Sequence, residues 1–267
     1  MQQSTIKIAV IGAGNMGSAI IKGLAGSNQQ TFSFDIHVSD VNQLALDALQ
    51  LAVPNITTAT SNEIITKDAD IIILAVKPWL VEEVAKAISH KIDYRKQIIV
   101  SIAAGIDLKT LVSFFGDLAV LFRIIPNTAI EMKQSVSIIS SHQANESQQQ
   151  LVSSIFSLLG KVFLVPESQL NALMSLSSCG IAYALQYIRA AMKGGVEMGV
   201  SPRLAKEVVI QTLQGAISLL ETKDSHPEVE IDKVTTPGGI TIKGLNEMEA
   251  NGFTNAVIKG LKASHIR

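Results

Sequence analysis

The stretch that most constrains this chain is its beginning. The aliphatic run Ile6–Ile11 passes straight into Gly12-Ala13-Gly14-Asn15-Met16-Gly17 and on into the helix-compatible Met16–Leu24. Glycines at this spacing, between a strand and a helix, do three different physical jobs. Gly12 permits a tight turn, Gly14 lets backbone approach a pyrophosphate, and Gly17 lets the helix pack close against the strand. The helix start then offers unpaired N–H groups and a positive dipole end to phosphates. Ile11 to Gly17, with Asn15 and Met16 opening the helix, is therefore predicted to bind a dinucleotide. A strand, glycine loop and helix in this order open a βαβ unit, whose strands lie parallel.

The rest of the N-terminal half follows the same plan. Ile36–Val38, Ile71–Val76, Ile98–Ile102 and Leu118–Ile124 are nearly continuous aliphatic runs. Strands apolar on both faces belong in a parallel sheet covered by helices on both sides. Gln43–Leu51 and Leu80–Ile88 supply crossover helices, and Val136–Ile139 and Val162–Val165 extend the sheet. Asn145 and Gln148 form a capping-box pattern that starts the helix between those last two strands. Beyond Val165-Pro166 the pattern becomes purely helical, with four helices near 168–198, 202–222, 240–251 and 254–265. Gly199, Ser201-Pro202 and Gly252 mark their ends and starts. The segment 221–233, with five acids and two lysines, reads as a solvated loop. The expected fold class is α/β: an N-terminal Rossmann-type doubly wound sheet over 1–166, then an all-α domain over 167–267.

In open α/β sheets ligands bind outside the carboxyl ends of the strands, which selects further candidates. Asp40 lies 23 residues beyond Gly17, close to the spacing of about 20 at which an acid takes the adenosine ribose hydroxyls. Its charge would repel the additional phosphate of NADP, and residues 37–45 contain no Arg or Lys to welcome one, so the expected lean is toward NADH. The next strand ends in Ala75-Val76-Lys77-Pro78, where Lys77 can place its charge near the pyrophosphate or substrate. Ser101-Ile102-Ala103-Ala104-Gly105 ends the strand after it, with small residues that let a nicotinamide ring lie against backbone. Arg123-Ile124-Ile125-Pro126-Asn127-Thr128 closes the fifth strand on the same edge.

Composition excludes several alternatives. With 267 residues, 47% hydrophobic and 17% charged, the chain is too apolar to be disordered and long enough for two domains. A net charge of -1 and 4% aromatics give no electrostatic or stacking reason to expect nucleic acid. Cys179 is the one cysteine, so a reducing compartment, the cytoplasm, is expected, and no signal-peptide pattern precedes Ile6. The uncharged stretch Ser168–Ile188 could span about 30 Å as a helix, but its Ser, Gln and Asn residues argue against lipid and for burial among helices. His37, His90, His142, His226 and His265 lack ligand spacing, so no metal is expected.

Taken together, the glycine loop and the strand-end motifs resemble the pyrroline-5-carboxylate reductase family. The most specific likeness is Asp232-Lys233-Val234-Thr235-Thr236-Pro237-Gly238-Gly239-Ile240-Thr241, supported by Gly180-Ile181-Ala182-Tyr183 and Gly195-Val196-Glu197-Met198-Gly199. The resemblance covers essentially the whole chain. It implies an enzyme that reduces the cyclic imine of 1-pyrroline-5-carboxylate to L-proline with NADPH or NADH, the last step of proline biosynthesis. It also implies a homodimer of interlocking helical domains, often in larger rings of dimers. By position, Asn62 would join the glycine loop, Ala75–Pro78 and Ile102–Ala104 around the cofactor. Thr235, Thr236, Gly238, Gly239 and Thr241 would hold the substrate at the dimer interface, with Thr241 orienting the ring nitrogen as the catalytic residue.

The likeness has departures. The family pattern Ser-Gly-Ser-Gly-Pro-Ala-Tyr stands here as Ser177-Ser178-Cys179-Gly180-Ile181-Ala182-Tyr183, and Met-Pro-Asn-Thr-Pro as Ile125-Pro126-Asn127-Thr128-Ala129. These changes put efficiency or substrate choice in question. They keep open a reductase of another cyclic imine, or a nucleotide-binding regulatory protein with a degenerate site. A 3-hydroxyacid dehydrogenase is disfavoured, because that family relies on a Lys in its first long interdomain helix and residues 168–192 contain none.

Overall fold

A computed structural model describes residues 5–27 and 32–265. Its first unit is built on an eight-stranded sheet of order β3-β2-β1-β4-β5-β6-β7-β8. The strands are β1 (Thr5–Ile11), β2 (Ser33–Ser39), β3 (Thr57–Ala59), β4 (Ile71–Leu74), β5 (Ile98–Ser101), β6 (Val120–Ile125), β7 (Ser135–His142) and β8 (Gly160–Leu164). All neighbours are parallel except β6 and β7, so the first six strands deliver their carboxyl ends to one edge.

Both faces of the sheet are covered, which explains the unbroken aliphatic runs. Ile8 and Val10 of β1 pack with Ile73 and Val100 on one face, whereas Ala9 and Ile11 pack with Ile72, Leu74 and Ile99 on the other. The first face is closed by α1 (Asn15–Ala25), α2 (Gln43–Ala52) and α6 (Glu146–Ser157), through Ile20, Leu24, Leu46, Leu49, Val152 and Ile155. The second is closed by α3 (Asn62–Thr66), α4 (Val81–Ile88) and α5 (Leu108–Phe115), through Ile65, Val81, Ile88 and Leu111. Burying each such aliphatic side chain contributes about 1.5–3 kcal/mol. The Asn145–Gln148 capping box is formed in both directions at the start of α6.

Three short elements, β3, α3 and α5, lie where the sequence pattern had signalled only connections. Each is too brief to establish a period by itself. A capping signal for α5 was present: Asp107 accepts the Thr110 N–H at 2.8 Å.

The chain divides into compact units between Ser178 and Cys179, within the long helix α7 (Glu167–Glu197), which itself begins at the change of pattern. The first three turns of α7 belong with the sheet because Leu170 and Met174 pack on Ile125 and Ile138. The second unit, Cys179–His265, comprises the rest of α7, α8 (Pro202–Lys223), α9 (Pro227–Val234), α10 (Ile240–Ala250) and α11 (Phe253–Ala263). Gly199, at φ +89, ends α7, and the Ser201 hydroxyl caps α8 ahead of Pro202. A Cβ on Gly195 would stand 3.2 Å from that of Ala205, so the glycine permits α7 and α8 to approach. Tyr183 ties α7 to the end of α11 through the Gly260 carbonyl (3.3 Å) and the Ser264 hydroxyl.

The expected loop over 221–233 is corrected. The segment contains the end of α8 and all but the last residue of α9, which makes five helices in place of four among the described residues. Its charges are helix-terminus signals: His226 caps Glu228 N–H, Pro227 takes the first position, Glu228 and Glu230 lie in the first turn, and Lys233 pairs with Glu230.

Candidate active site

The residues expected at the cofactor all lie at one sheet edge in the first unit. Ile11 ends β1, and its carbonyl accepts the Ala75 N–H beyond β4 at 2.8 Å, so the two loops leave the sheet side by side. Gly12 has φ +110, and a Cβ there would lie 2.6 Å from the Ala75 carbonyl oxygen. A Cβ on Gly17 would meet the Gly12 carbonyl at 2.0 Å, so helix and loop touch through backbone. Gly14 is different, because nothing lies within 4 Å of where its Cβ would be. It faces open space at the start of α1, where no side chain caps the helix. That cradle fits a phosphate, which would use the unpaired N–H groups of Asn15, Met16 and Gly17.

Asp40, just past β2, is held in place by the backbone. Its Oδ2 accepts the Ala13 N–H at 2.7 Å and its Oδ1 accepts the Asn42 N–H at 2.9 Å. Each carboxylate oxygen can accept a second hydrogen bond, so the group remains able to receive ribose hydroxyls. Asn62 opens α3, and its Oδ1 accepts the Ser39 hydroxyl at 2.7 Å, which ties α3 to the end of β2. Lys77 and Ala104 are exposed beside Val76, Pro78 and the buried Ala103 on the loops after β4 and β5.

The expected substrate residues lie together on one turn of the second unit, between α9 and α10. Gly238 has φ +72, which favours glycine, and a Cβ on Gly239 would stand 2.7 Å from the Thr236 hydroxyl, so the turn is tight at both glycines. Two expected donors are engaged locally. The Thr235 hydroxyl donates to the Ile231 and Asp232 carbonyls at 3.1 and 3.2 Å, and the Gly239 N–H donates to the Thr236 carbonyl at 2.9 Å. That leaves the Thr236 and Thr241 hydroxyls and the first N–H groups of α10, which no side chain caps, to face an anion. Thr241 is exposed in the first turn of α10.

One polar cluster joins residues that no motif of the sequence brings together. Arg123, 4% exposed in the middle of β6, donates to Glu167 Oε1 at 2.9 Å and to Asn171 Oδ1 at 3.1 Å. Glu167 Oε1 also accepts the Leu108 N–H at 2.8 Å, joining β6, α5 and α7. A lone arginine inside an otherwise apolar strand was the available signal, since a buried guanidinium requires partners.

A parallel sheet that ends in such a glycine loop, followed by a helical unit, is the architecture of dinucleotide-binding oxidoreductases. Comparison with known proteins is more specific. Residues 167–267 match the sequence model described as pyrroline-5-carboxylate reductase dimerisation, and residues 7–105 match that of NADP oxidoreductase coenzyme F420-dependent. Pyrroline-5-carboxylate reductase 1 of Dictyostelium discoideum is 36% identical over 96% of this chain, which spans only 48% of that protein. The pyrroline-5-carboxylate reductase of Methanosarcina acetivorans is 34% identical over 97% of this chain and 96% of its own length. The crystal structure of Plasmodium falciparum pyrroline carboxylate reductase with NADP bound superposes with a TM-score of 0.86, at 26% identity over 97% of this chain and 95% of that one. The chain belongs to the pyrroline-5-carboxylate reductase family.

Proposed function

We propose that this protein reduces 1-pyrroline-5-carboxylate to L-proline with NADH or NADPH, the last step of proline biosynthesis. The observation that carries the reading is the Gly14 cradle at an uncapped helix start, in a chain whose relatives over nearly its full length bear that activity's name. When bound, the reduced nicotinamide supplies a hydride to the imine carbon, and the nitrogen takes a proton from solvent or already carries one. The loop Gly12–Gly17 holds the pyrophosphate, and Ala75–Pro78 with Ala103 and Ala104 border the nicotinamide half. Thr236 and the start of α10 hold the substrate carboxylate, with Gly238 and Gly239 shaping the turn and Thr235 bracing it. Thr241 hydrogen-bonds the ring nitrogen and orients it.

Asp40 supports a preference for NADH, because its fixed carboxylate would oppose a 2′-phosphate. The working state is a homodimer through the helical unit, with dimers assembling into rings, in the reducing cytoplasm that a single cysteine suits. No described helix is long and apolar enough to cross a membrane. The test is absorbance loss of NADH and of NADPH with pyrroline-5-carboxylate, alongside its six-membered analogue. Turnover of the five-membered imine with proline as product is expected. Cofactor binding without turnover of either imine would instead favour a regulatory protein, and turnover of the larger ring alone would favour a different imine reductase.

A further inference from the structure

Helix α7 carries three serines in quick succession, and one behaves differently. Ser175 donates to the Asn171 carbonyl at 3.3 Å and Ser177 to the Leu173 carbonyl at 2.9 Å, each four residues back in its own helix. This is the ordinary local solution for a helical hydroxyl. Ser178 instead donates to the Pro126 carbonyl at 3.0 Å, across to the turn where β6 leaves the sheet. The family pattern places glycine here, which has no hydroxyl to make this bond.

The bond completes a stripe along α7. Glu167 and Asn171 hold Arg123 of β6, Leu170 and Met174 pack on Ile125, and Ser178 holds Pro126. Positions 167, 171, 174 and 178 recur at helical spacing on one face, so three turns of α7 fasten one strand and the turn that follows it. The same peptide is also held at its N–H end, and the turn beyond it closes on itself. The Asn127 N–H donates to the Ser135 hydroxyl at 3.3 Å, and Asn127 Oδ1 accepts the Ala129 N–H at 3.1 Å. Ser178 therefore holds the Pro126–Asn127 peptide by its carbonyl, while Ser135 holds the same peptide by its N–H. That peptide lies at the carboxyl end of β6, on the edge shared with the loops after β1, β4 and β5, where a dinucleotide's nicotinamide end is bordered.

We propose that Ser178 is a positioning residue for hydride transfer, its hydroxyl fixing the Pro126–Asn127–Thr128 turn as a rigid backbone wall for the nicotinamide. The proposal rests on the reductase reading above. In this chain the serine is thus a second fastening of that wall and not a blemish on a glycine position.

Ser178→Ala and Ser178→Gly test it as a pair, because both delete the hydroxyl while alanine raises and glycine lowers helix propensity. Both variants are expected to lose about three- to tenfold in kcat, the worth of one hydrogen bond. The KM for NADH should stay within about twofold in each, since its phosphate contacts are untouched. The deuterium isotope effect on kcat with 4-deuterated NADH should rise in both, and Ser178→Thr should restore wild-type values. Independently of turnover, amide hydrogen exchange over residues 127–133 should quicken in the cofactor-free Ala and Gly variants and remain at wild-type rates in the Thr variant. Wild-type kcat and turn exchange in Ser178→Ala would overturn the proposal. Activity that follows thermal stability, lost in Gly but kept in Ala, would overturn it too. A wild-type protein that turns over no imine would defeat the reductase reading and with it the hydride-transfer role, while exchange in the turn would still decide whether Ser178 holds it.

Discussion

The two units use their apolar residues in opposite ways. In the first, alternate residues of the central strands point into one of two packed layers, and Ile8, Val10, Ile20, Ile72, Leu74 and Phe122 are fully buried. In the second, Ala205 is the one buried apolar side chain among the described residues. Large hydrophobics there stand in the open: Leu204, Val208 and Leu219 recur on one face of α8, and Ile240 is 87% exposed. A sheet can complete its core with helices from its own chain. The described helices of the second unit leave such faces open, and the match to a dimerisation domain fits a second copy of the chain as their cover. The excess of aliphatic residues over the whole chain is therefore two features, a saturated core and an interface still to be filled.

The largest expected effect would come from breaking the second unit's need for a partner. Val208→Asp places a charge on an apolar face, and burying an unpaired charge costs several kcal/mol, so dimer affinity should fall by about 100-fold or more. Sedimentation and activity measured together would check this; an unchanged dimer would remove that face of α8 from the interface. In the first unit the corresponding weak point is internal. Arg123→Ala leaves Glu167 without its cation and should cost about 3 kcal/mol of stability by denaturant unfolding. That loss should appear without any change of oligomeric state, in contrast to Val208→Asp.

Smaller effects separate the two units by function. Thr241→Ala, in the second unit, should lower kcat/KM for the imine by about tenfold while NADH affinity is kept. Asp40→Ser, in the first, should shift the ratio of NADPH to NADH efficiency by about tenfold and leave the imine KM alone. Equal effects on both ligands from either variant would erase the division of labour. The smallest effect concerns the Asp107 cap of α5, whose carboxyl is held below the usual carboxylate range by hydrogen bonds from the Thr110 side chain and N–H. A lowered folded pKa means the cap stabilises fully above the ordinary Asp range and fades as pH falls through the lowered value. Asp107→Ala should cost about 1 kcal/mol at neutral pH, and the gap from wild type should close on acidification.

Local chemistry was legible without coordinates wherever a few neighbouring residues suffice. Gly12 and Gly17 stand where a tight turn and a backbone contact leave no room for a side chain, and Gly14 faces open space at the helix start. Strand runs, the Asn145 cap and the Gly199 stop were legible for the same reason, since each depends on residues within a turn or two of sequence. The acidic segment 221–233 has the composition of a solvated loop, yet its charges serve as helix-end signals that only the folded ends of α9 distinguish.

What only the tertiary structure decided is long-range. Arg123 meets Glu167, Asp40 meets the Ala13 N–H, and Ser178 meets the Pro126 carbonyl across separations that no periodicity encodes. The spare hydroxyls of the Thr235–Thr241 turn likewise depended on which donors the turn itself consumes. By itself the sequence determined the layers, the glycine loop and the likeness to a reductase, because backbone preference and apolar spacing are local properties. Which polar groups remain available for chemistry was decided by folding, because a hydrogen bond is satisfied by whatever partner the fold brings within about 3 Å.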